Sequence, residues 1–413
     1  MASPTLTGPP PTAATSTRTR AAVVALVGIV LVALNLRMAI TGLGALLDEV
    51  RAGLGLSGTM AGLVTTLPTL AFAGFGALTP ALARRYPPAR VLVIAMAALA
   101  AGQLLRAWTG APAVFVAATA LALAGIAVAN VLLPAVVKQY FPARTGLVTG
   151  LYTMALVTGT TVAAAGSVPI AHAFGSWRAG LGAWALLAVI ATLPWLRQAV
   201  ARRGAAHREG SRVAARVHAH RTRLGWGLAV YFGTQSLSGY ATMGWLAQLF
   251  RDNGYTPEVA GLLLAGVTAV AVPITLLMPT YAGRRPDLRG LVVVLSAAMF
   301  ASYFGLMIAP HGGAVLWVVL LAIGQAAFPL ALVMIGMRAR TAGGVVALSA
   351  FAQSAGYLLA SLGPLLVGLL YEATGGWLAP LWVLVAAAAV QTVSGLAVAR
   401  PRYVEDEQDG RER

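Results

Sequence analysis

The chain has 413 residues, of which 59% are hydrophobic and only 10% charged, and its mean hydropathy is +0.80. No ordinary water-soluble domain has this composition, so we expect a protein that faces lipid. The absence of cysteine excludes disulfides, thiol catalysis and thiolate metal sites. The net charge of +17 would suit a nucleic-acid-binding protein, but the distribution of that charge along the chain argues for no nucleic-acid partner.

Apolar runs of membrane-spanning length recur along the chain with short polar breaks between them. A hydrocarbon core about 30 Å thick requires roughly 20 apolar residues per helix. The sequence therefore predicts an all-α integral membrane protein with twelve transmembrane helices. The predicted spans are 22–47, 58–83, 89–108, 112–137, 146–171, 179–196, 224–249, 258–282, 290–309, 313–337, 344–370 and 378–399.

The segments outside the spans divide the chain. Residues 1–20 are rich in Thr, Pro, Ser and Ala, and we predict a disordered cytoplasmic tail rather than a signal peptide. Bundles at 21–199 and 224–400 are joined by a basic cytoplasmic linker at 200–223, and a second cytoplasmic tail follows at 401–413. We expect the linker to touch anionic lipid headgroups rather than a regulatory partner.

Positive charge predicts the topology. All but five of the 29 Lys and Arg residues fall in the tails and the even-numbered loops. Arg37 lies inside the first span, and the other four exceptions fall on the opposite side: Arg51, Arg106, Arg178 and Arg251. This bias predicts a multi-pass protein of the bacterial cytoplasmic membrane with both termini in the cytoplasm.

The two halves of the sequence repeat one another. Three landmarks recur in the same order: Arg84 and Arg85 with Arg284 and Arg285, Gly175 and Trp177 with Gly375 and Trp377, and Ala143 to Thr145 with Ala339 to Thr341. The pattern predicts two pseudo-symmetric six-helix bundles that rock about a site at their interface. We expect the four arginines to form a loop motif at the cytoplasmic gate.

Local motifs add a family resemblance over nearly the whole chain. They are Asn35 to Arg37 in the first span, Asn130 to Pro134 in the fourth, Gln325 to Leu330 in the tenth, and Gln353 to Tyr357 in the eleventh. These motifs resemble the cyanate and 2-nitroimidazole porter branch (CynX/NimT) of the major facilitator superfamily. The resemblance implies transport of a small anion such as cyanate, or of a small nitro-heteroaromatic compound.

The chain departs from the pattern of that branch at three positions. Met38 and Ala45 stand where prolines are expected, so we expect a straighter first helix and an altered pocket. Pro80 occupies the place of an acid in the loop signature of the superfamily, and the second copy at 283–285 also lacks the acid. We therefore expect the usual charge latch on the cytoplasmic face to be replaced or weakened.

Arg37 is the only charge predicted near the bilayer centre, because every carboxylate falls at a helix end or in the cytoplasm. Burying an arginine there costs about 2.5 to 3.5 kcal/mol on insertion scales, so a partner must compensate. That partner is either a set of carbonyls and hydroxyls, with Arg37 as packing glue, or an anionic ligand. We favour the ligand, since a guanidinium presents a planar fork of donors to carboxylate-like or nitro oxygens.

Neutral polar residues supply the other substrate-binding candidates. The seventh span carries Tyr231, Gln235, Ser238, Thr242 and Trp245 on one helical face. We expect Ser238 and Thr242 to bond between helices, and Asn35 and Asn130 to be structural. The candidates besides Arg37 are Thr41, Tyr231, Gln235, Gln325, Gln353 and Tyr357.

We expect a monomeric secondary active or facilitated transporter of a small anionic or electron-rich solute, working by rocker-switch alternating access. Efflux of a neutral or anionic drug-like compound, and a receptor or scaffold, are the alternatives. The sequence carries no paired metal-ligand histidines, serine elbow or acid pair, so we expect no enzyme, cofactor or metal. His172 and His311 fall at outer helix ends, so a uniporter is as plausible as proton coupling.

Overall fold

The computed structural model describes residues 11–56, 58–200 and 217–409. The described helices of the first half are α1 Pro11–Ala45, α2 Leu47–Leu54, α3 Gly58–Arg85, α4 Pro88–Trp108, α5 Pro112–Tyr140, α6 Thr145–Ala173 and α7 Trp177–Val200. Those of the second half are α8 Arg223–Asp252, α9 Pro257–Ala282, α10 Arg289–Ile308, α11 Ala314–Gln325, α12 Ala327–Met337, α13 Ala342–Ala360, α14 Leu362–Thr374, α15 Leu378–Val398 and α16 Val404–Asp409.

Each predicted span is occupied by one helix or by two consecutive helices. Within the described ranges, 10 segments are long and apolar enough to cross a membrane, and α3 and α8 occupy the second and seventh predicted spans. The tenth and eleventh spans are each interrupted, at Ala326 and at Ser361. The predicted fold class, an all-α membrane protein of two six-helix bundles, is confirmed.

The tails and the linker depart from the prediction or lie outside the described part of the chain. Helix α1 begins at Pro11, so residues 11–20 are helical where a disordered tail was expected. Proline suits the first helical position because its fixed φ is already helical. Residues 1–10 and most of the predicted linker, 201–216, are outside the described ranges.

Each bundle is held by close helix packing. Helix α1 packs on α6 and α7, and α8 packs on α13 and α15. A Cβ at Gly159 of α6 would lie 2.1 Å from the carbonyl oxygen of Leu34, so only glycine allows α1 and α6 to come this close. Gly175 and Gly375 both adopt the left-handed conformation, with φ of 62° and 66°, at equivalent places in the two halves. The same backbone conformation therefore occurs in both halves, at the glycines that were used to align the two halves of the sequence.

The bundles meet along α6 with α9 and along α3 and α5 with α13. We use "basic side" for the side of the molecule on which α3, α5 and α9 end and α6 and α13 begin. There the backbones of Gly146 and Gly283 touch, since a Cβ on Gly283 would lie 2.6 Å from the Cα of Gly146. Nearby, the Thr153 hydroxyl donates to the Thr275 carbonyl at 2.9 Å. These contacts close the interface on the basic side.

Candidate functional site

Arg37 projects from α1 into the interface between the bundles. Its Nη1 donates to the hydroxyl of Tyr240 at 3.0 Å, and its Nη2 donates to the hydroxyl of Tyr357 at 3.5 Å. The guanidinium carbon also lies 5.6 Å from the ring centroid of Phe72, within the range of a cation–π contact. All the described partners of this charge are therefore neutral.

No carboxylate balances Arg37 in the described part of the chain. The two ion pairs found there, Arg289 with Asp287 and Arg340 with Asp406, lie on the basic side. Arg37 and Tyr240 also keep part of their surface accessible. The site thus combines a reachable positive charge with hydroxyl groups that can exchange partners.

Tyr357 links the two halves at this site. Its ring is 1% exposed, and its hydroxyl accepts from Asn130 Nδ2 at 3.1 Å as well as from Arg37. Both donors belong to the first bundle, whereas Tyr357 belongs to the second. Asn130, which we expected to be structural, is therefore part of the site.

Aromatic rings form the apolar wall beside the guanidinium. The ring centroids of Phe72 and Tyr357 are 4.8 Å apart, and those of Phe232 and Tyr357 are 5.0 Å apart in an edge-to-face arrangement. Phe328 continues the wall, with its centroid 5.7 Å from that of Phe232. Phe72 is 2% exposed and Phe232 is fully buried, so in this conformation the rings pack on one another, and a planar ligand would stack on them only after the bundles move apart.

Three prolines each leave one backbone carbonyl without its usual helical hydrogen bond. A side chain of another helix donates to that carbonyl instead. A proline inside a helix cannot donate to the carbonyl four residues before it. Pro134, Pro279 and Pro329 occur four residues after Asn130, Thr275 and Gln325. The carbonyls of these three residues accept side-chain bonds from Gln353 at 3.5 Å, Thr153 at 2.9 Å and Gln235 at 3.3 Å, respectively. Prolines are tolerated in membrane helices because side chains such as these replace the lost backbone hydrogen bonds.

Gln235 and Gln325 form a polar pair within the second bundle. Gln235 Nε2 donates to the side-chain oxygen of Gln325 at 2.5 Å, and Gln325 Nε2 donates to the Thr242 hydroxyl at 3.4 Å. Gln325 is partly exposed, whereas Gln235 is 1% exposed. Of the two, Gln325 is better placed to meet a solute.

The remaining neutral candidates take different places. Tyr231 is buried against α15, since a Cβ at Gly395 would lie 2.6 Å from its ring, so it does not join Arg37. Gln353 is fully buried and donates to Ser349 at 2.7 Å in addition to the Asn130 carbonyl. Thr41 follows Arg37 by one helical turn and is partly exposed.

The polar stripe of the seventh span faces mainly into its own bundle. Ser238 forms a short hydrogen bond with the Tyr303 hydroxyl of α10, and Trp245 donates to the carbonyl of Pro364 at 3.1 Å. Tyr240, which lies off this stripe, is the residue of α8 that reaches Arg37. Neither Tyr240 nor Phe72 was predicted from the sequence, because periodicity does not identify which neighbour a helical face meets.

Arg106, which the sequence places on the side opposite the basic loops, is buried. It lies two residues before the end of α4, is 1% exposed, and donates from Nη1 to the Ala39 carbonyl of α1 at 2.9 Å. Positions 37 and 39 differ by about 200° around a helix, so Arg106 lies behind α1, inside the first bundle. It supports the helix that carries Arg37 without entering the interface.

A lysine spans the bundles on the basic side. Lys138 of α5 donates through Nζ to the carbonyl of Gly336 at 3.1 Å and to that of Ala339. These carbonyls lie at the end of α12, where the helix dipole favours a cation. The four loop arginines, Arg84, Arg85, Arg284 and Arg285, are exposed on the same side, and Arg285 lies 4.5 Å from the Tyr281 ring.

Two membrane-embedded bundles that meet around a polar, partly accessible interface define a membrane transporter. A family model described as "Major Facilitator Superfamily" matches residues 25–361. The chain belongs to the Major Facilitator Superfamily, and the resemblance found in the sequence is confirmed.

Three relatives align over most of the chain. An uncharacterized transporter, YycB, of Bacillus subtilis (strain 168) is 34% identical, over 91% of this chain and 94% of its own length. The 2-nitroimidazole transporter of Escherichia coli (strain K12) is 32% identical, over 95% and 100% of the two chains. The cyanate transport protein CynX of the same strain is 30% identical, over 85% and 90%.

Solved structures share the fold at low sequence identity. The proton:xylose symporter XylE, bound to 6-bromo-6-deoxy-D-glucose, superimposes with a TM-score of 0.73 at 15% identity, over 96% of this chain and 99% of that one. At this identity the likeness concerns the fold alone.

Proposed function

We propose that this protein transports a small anionic or electron-rich solute, with Arg37 as the substrate anchor. The observation that carries the proposal is the neutral environment of this guanidinium. Its described partners are the hydroxyls of Tyr240 and Tyr357 and the ring of Phe72. A carboxylate-like group offers two oxygens to the two Nη donors and supplies the negative charge that these partners lack. A nitro group offers two partly negative oxygens in the same geometry, without a net charge.

Among the candidate solutes, the aromatic wall favours a nitroheterocycle over cyanate or a small carboxylate. Once the bundles move apart, a planar ring could stack beside Phe72 while its nitro oxygens accept from Arg37, with Phe232 and Phe328 close to the same wall. A linear triatomic anion would use the arginine but leave the wall without a partner. The names of the relatives include both a 2-nitroimidazole and a cyanate transporter, so similarity alone does not choose between them.

Substrate binding at this site would act on both halves at once. Arg37 and Asn130, from the first bundle, both donate to the Tyr357 hydroxyl of the second. A solute that accepts from Arg37 competes with Tyr357 and loosens one connection between the halves. Rocking of the two bundles then exposes the site to alternate sides, as parallel repeats permit.

The orientation of the protein follows from its charge. The turns and tails of the basic side carry most of its lysines and arginines, which supports a cytoplasmic location for both termini in a bacterial plasma membrane. In that orientation, the contact of Gly146 with Gly283 and the Lys138 bonds close the cytoplasmic side. The structure then corresponds to a conformation closed toward the cell interior.

Uptake into proteoliposomes tests the proposal. Purified protein should accumulate radiolabelled 2-nitroimidazole faster than protein-free vesicles, and the Arg37→Ala variant should not. Repeating the assay at several external pH values, with and without a protonophore, separates proton coupling from uniport. If no member of a panel of nitroheterocycles, cyanate and small carboxylates moves, the transport proposal fails and a receptor or scaffold role is favoured.

A further inference from the structure

A cavity on the basic side lies apart from the Arg37 site. It has a volume of about 260 Å³ and opens where three parts of the chain meet: the end of α3, the segment 217–220 that precedes α8, and the first half of α13. Helix α3 belongs to the first bundle, and the other two parts belong to the second. A ligand in this cavity would therefore touch both halves of the protein.

The charged and titratable groups that line the cavity are all basic. Arg84 comes from α3, and His218 and His220 come from the segment before α8. A neighbouring, more open cavity shares His220 and adds Arg221 and Arg223. No acidic side chain of the described residues lines either cavity, so the lining itself favours an anion. The nearby Glu407 accepts from the Leu224 N–H at 3.1 Å.

A buried hydroxyl independently indicates a ligand. Ser354 of α13 lines the cavity, is only 8% exposed, and its Oγ has no hydrogen-bond partner in the described part of the chain. The absence of a side chain at Gly76 leaves room for this hydroxyl, because a Cβ there would lie 2.8 Å from it. Buried hydroxyls normally find a partner, and an oxygen of a bound anion would provide one.

We propose that this cavity binds the phosphate group of an anionic phospholipid. Trp226, which lines the neighbouring cavity, is 54% exposed and donates its indole N–H to the His220 carbonyl at 2.8 Å. Exposed tryptophans of this kind are typical of the headgroup level of a bilayer. The remaining lining, including Ala347 and Phe351, is apolar and suits the glycerol and upper acyl carbons of a lipid.

The position of Pro80 gives the site a structural role. Pro80 lines the cavity one helical turn before Arg84, at the place where the loop signature would carry an acid. A lipid phosphate in this cavity would place a negative charge beside Arg84. It also bridges Arg84 of the first bundle to His218 of the second, which favours the conformation closed on this side.

Native mass spectrometry of the delipidated full-length protein tests the site. The probes are phosphatidylglycerol, phosphatidylcholine and inorganic phosphate, each titrated separately and then in competition. Arg84→Gln should weaken phosphatidylglycerol binding about fivefold, since a basic residue near a membrane surface contributes about 1 kcal/mol. Arg284→Gln is the matched control, because it makes the same charge change at the equivalent exposed position of the second half.

The outcomes separate the lipid from other ligands. Selective retention of phosphatidylglycerol over phosphatidylcholine, reduced by Arg84→Gln and by Ser354→Ala but not by Arg284→Gln, supports the proposal. Equal retention of the two lipids, or equal losses in the two arginine variants, would overturn it. Displacement of phosphatidylglycerol by millimolar inorganic phosphate would assign the cavity to a free anion and overturn the lipid assignment.

Discussion

Replacing Arg37 by alanine removes the positive charge that contacts Tyr240 and Tyr357, together with both donors to these hydroxyls. A hydrogen bond to a charged group contributes about 1.5 to 3 kcal/mol when its partner is buried. Losing one such bond to the solute raises the dissociation constant roughly 10- to 150-fold. Losing both should bring binding below detection.

Ligand-induced thermal stabilisation measures this change directly. At a 2-nitroimidazole concentration of about 100 times the dissociation constant, binding adds about 2.7 kcal/mol to the stability of the folded state. If the dissociation constant rises about 100-fold, the same ligand concentration adds only about 0.4 kcal/mol. The rise in apparent melting temperature should therefore nearly vanish in Arg37→Ala.

Two variants serve as controls for Arg37→Ala. Arg37→Lys keeps the charge but replaces the planar fork by a single ammonium group, so it should bind with intermediate affinity. Arg51→Ala removes an exposed arginine of α2, away from the interface, and should keep the full ligand-induced shift. A folded Arg37→Ala variant that keeps the wild-type shift would refute the assignment of Arg37 as the anchor.

Three further predictions concern the contacts between the bundles. Tyr357→Phe removes the hydroxyl that accepts from two donors, so thermal denaturation without ligand should reveal a loss of about 1 to 3 kcal/mol. Gly283→Ala places a Cβ against the opposite backbone and should oppose closure of the basic side by about 1 to 3 kcal/mol, whereas Gly290→Ala meets no atom within 4 Å and should have no effect. Lys138→Gln should also favour opening, measured as faster thiol labelling of a Ser354→Cys reporter.

Because the natural chain has no cysteine, the Ser354→Cys reporter is labelled without background. Labelling rates that are the same in Lys138→Gln and in its parent would contradict a closing role for the lysine. If Ser354→Cys is labelled at the same rate in Gly283→Ala and in Gly290→Ala, the contact between Gly146 and Gly283 does not limit opening of the basic side. An unchanged denaturation midpoint for Tyr357→Phe would mean that its hydroxyl contributes no net stability.

The sequence predicted the spans and the two halves because these depend on apolar length and on the positions of charges. Arg37 was found for the same reason, since a charge inside an apolar run is conspicuous. Its partners were harder to identify. Tyr240 reaches Arg37 although it lies off the polar stripe of α8, because the stripe turns toward α10 and Gln325 within its own bundle.

Arg106 shows a second limit of sequence reasoning. Its position two residues before the end of α4 places it on the side opposite the basic loops but does not predict its burial against the Ala39 carbonyl. That burial depends on how α4, which packs on α5 and α7, is placed relative to α1, and periodicity along either helix does not determine this. In contrast, the four-residue spacing between Asn130 and Pro134 can be read directly from the sequence. It predicts that the Asn130 carbonyl lacks its helical hydrogen bond and accepts one from a side chain of another helix.

The carbonyls freed by Pro134, Pro279 and Pro329 also bear on how such a protein can change during evolution. Each acceptor is created by a proline one turn away, so it persists whatever side chain the accepting residue carries. Substitution at positions 130, 275 or 325 can therefore alter what the pathway recognises while the backbone acceptor that joins the helices is kept. If the proposed site is correct, solute selectivity and the mechanical connection between the helices depend on different parts of these residues, the side chain and the backbone carbonyl.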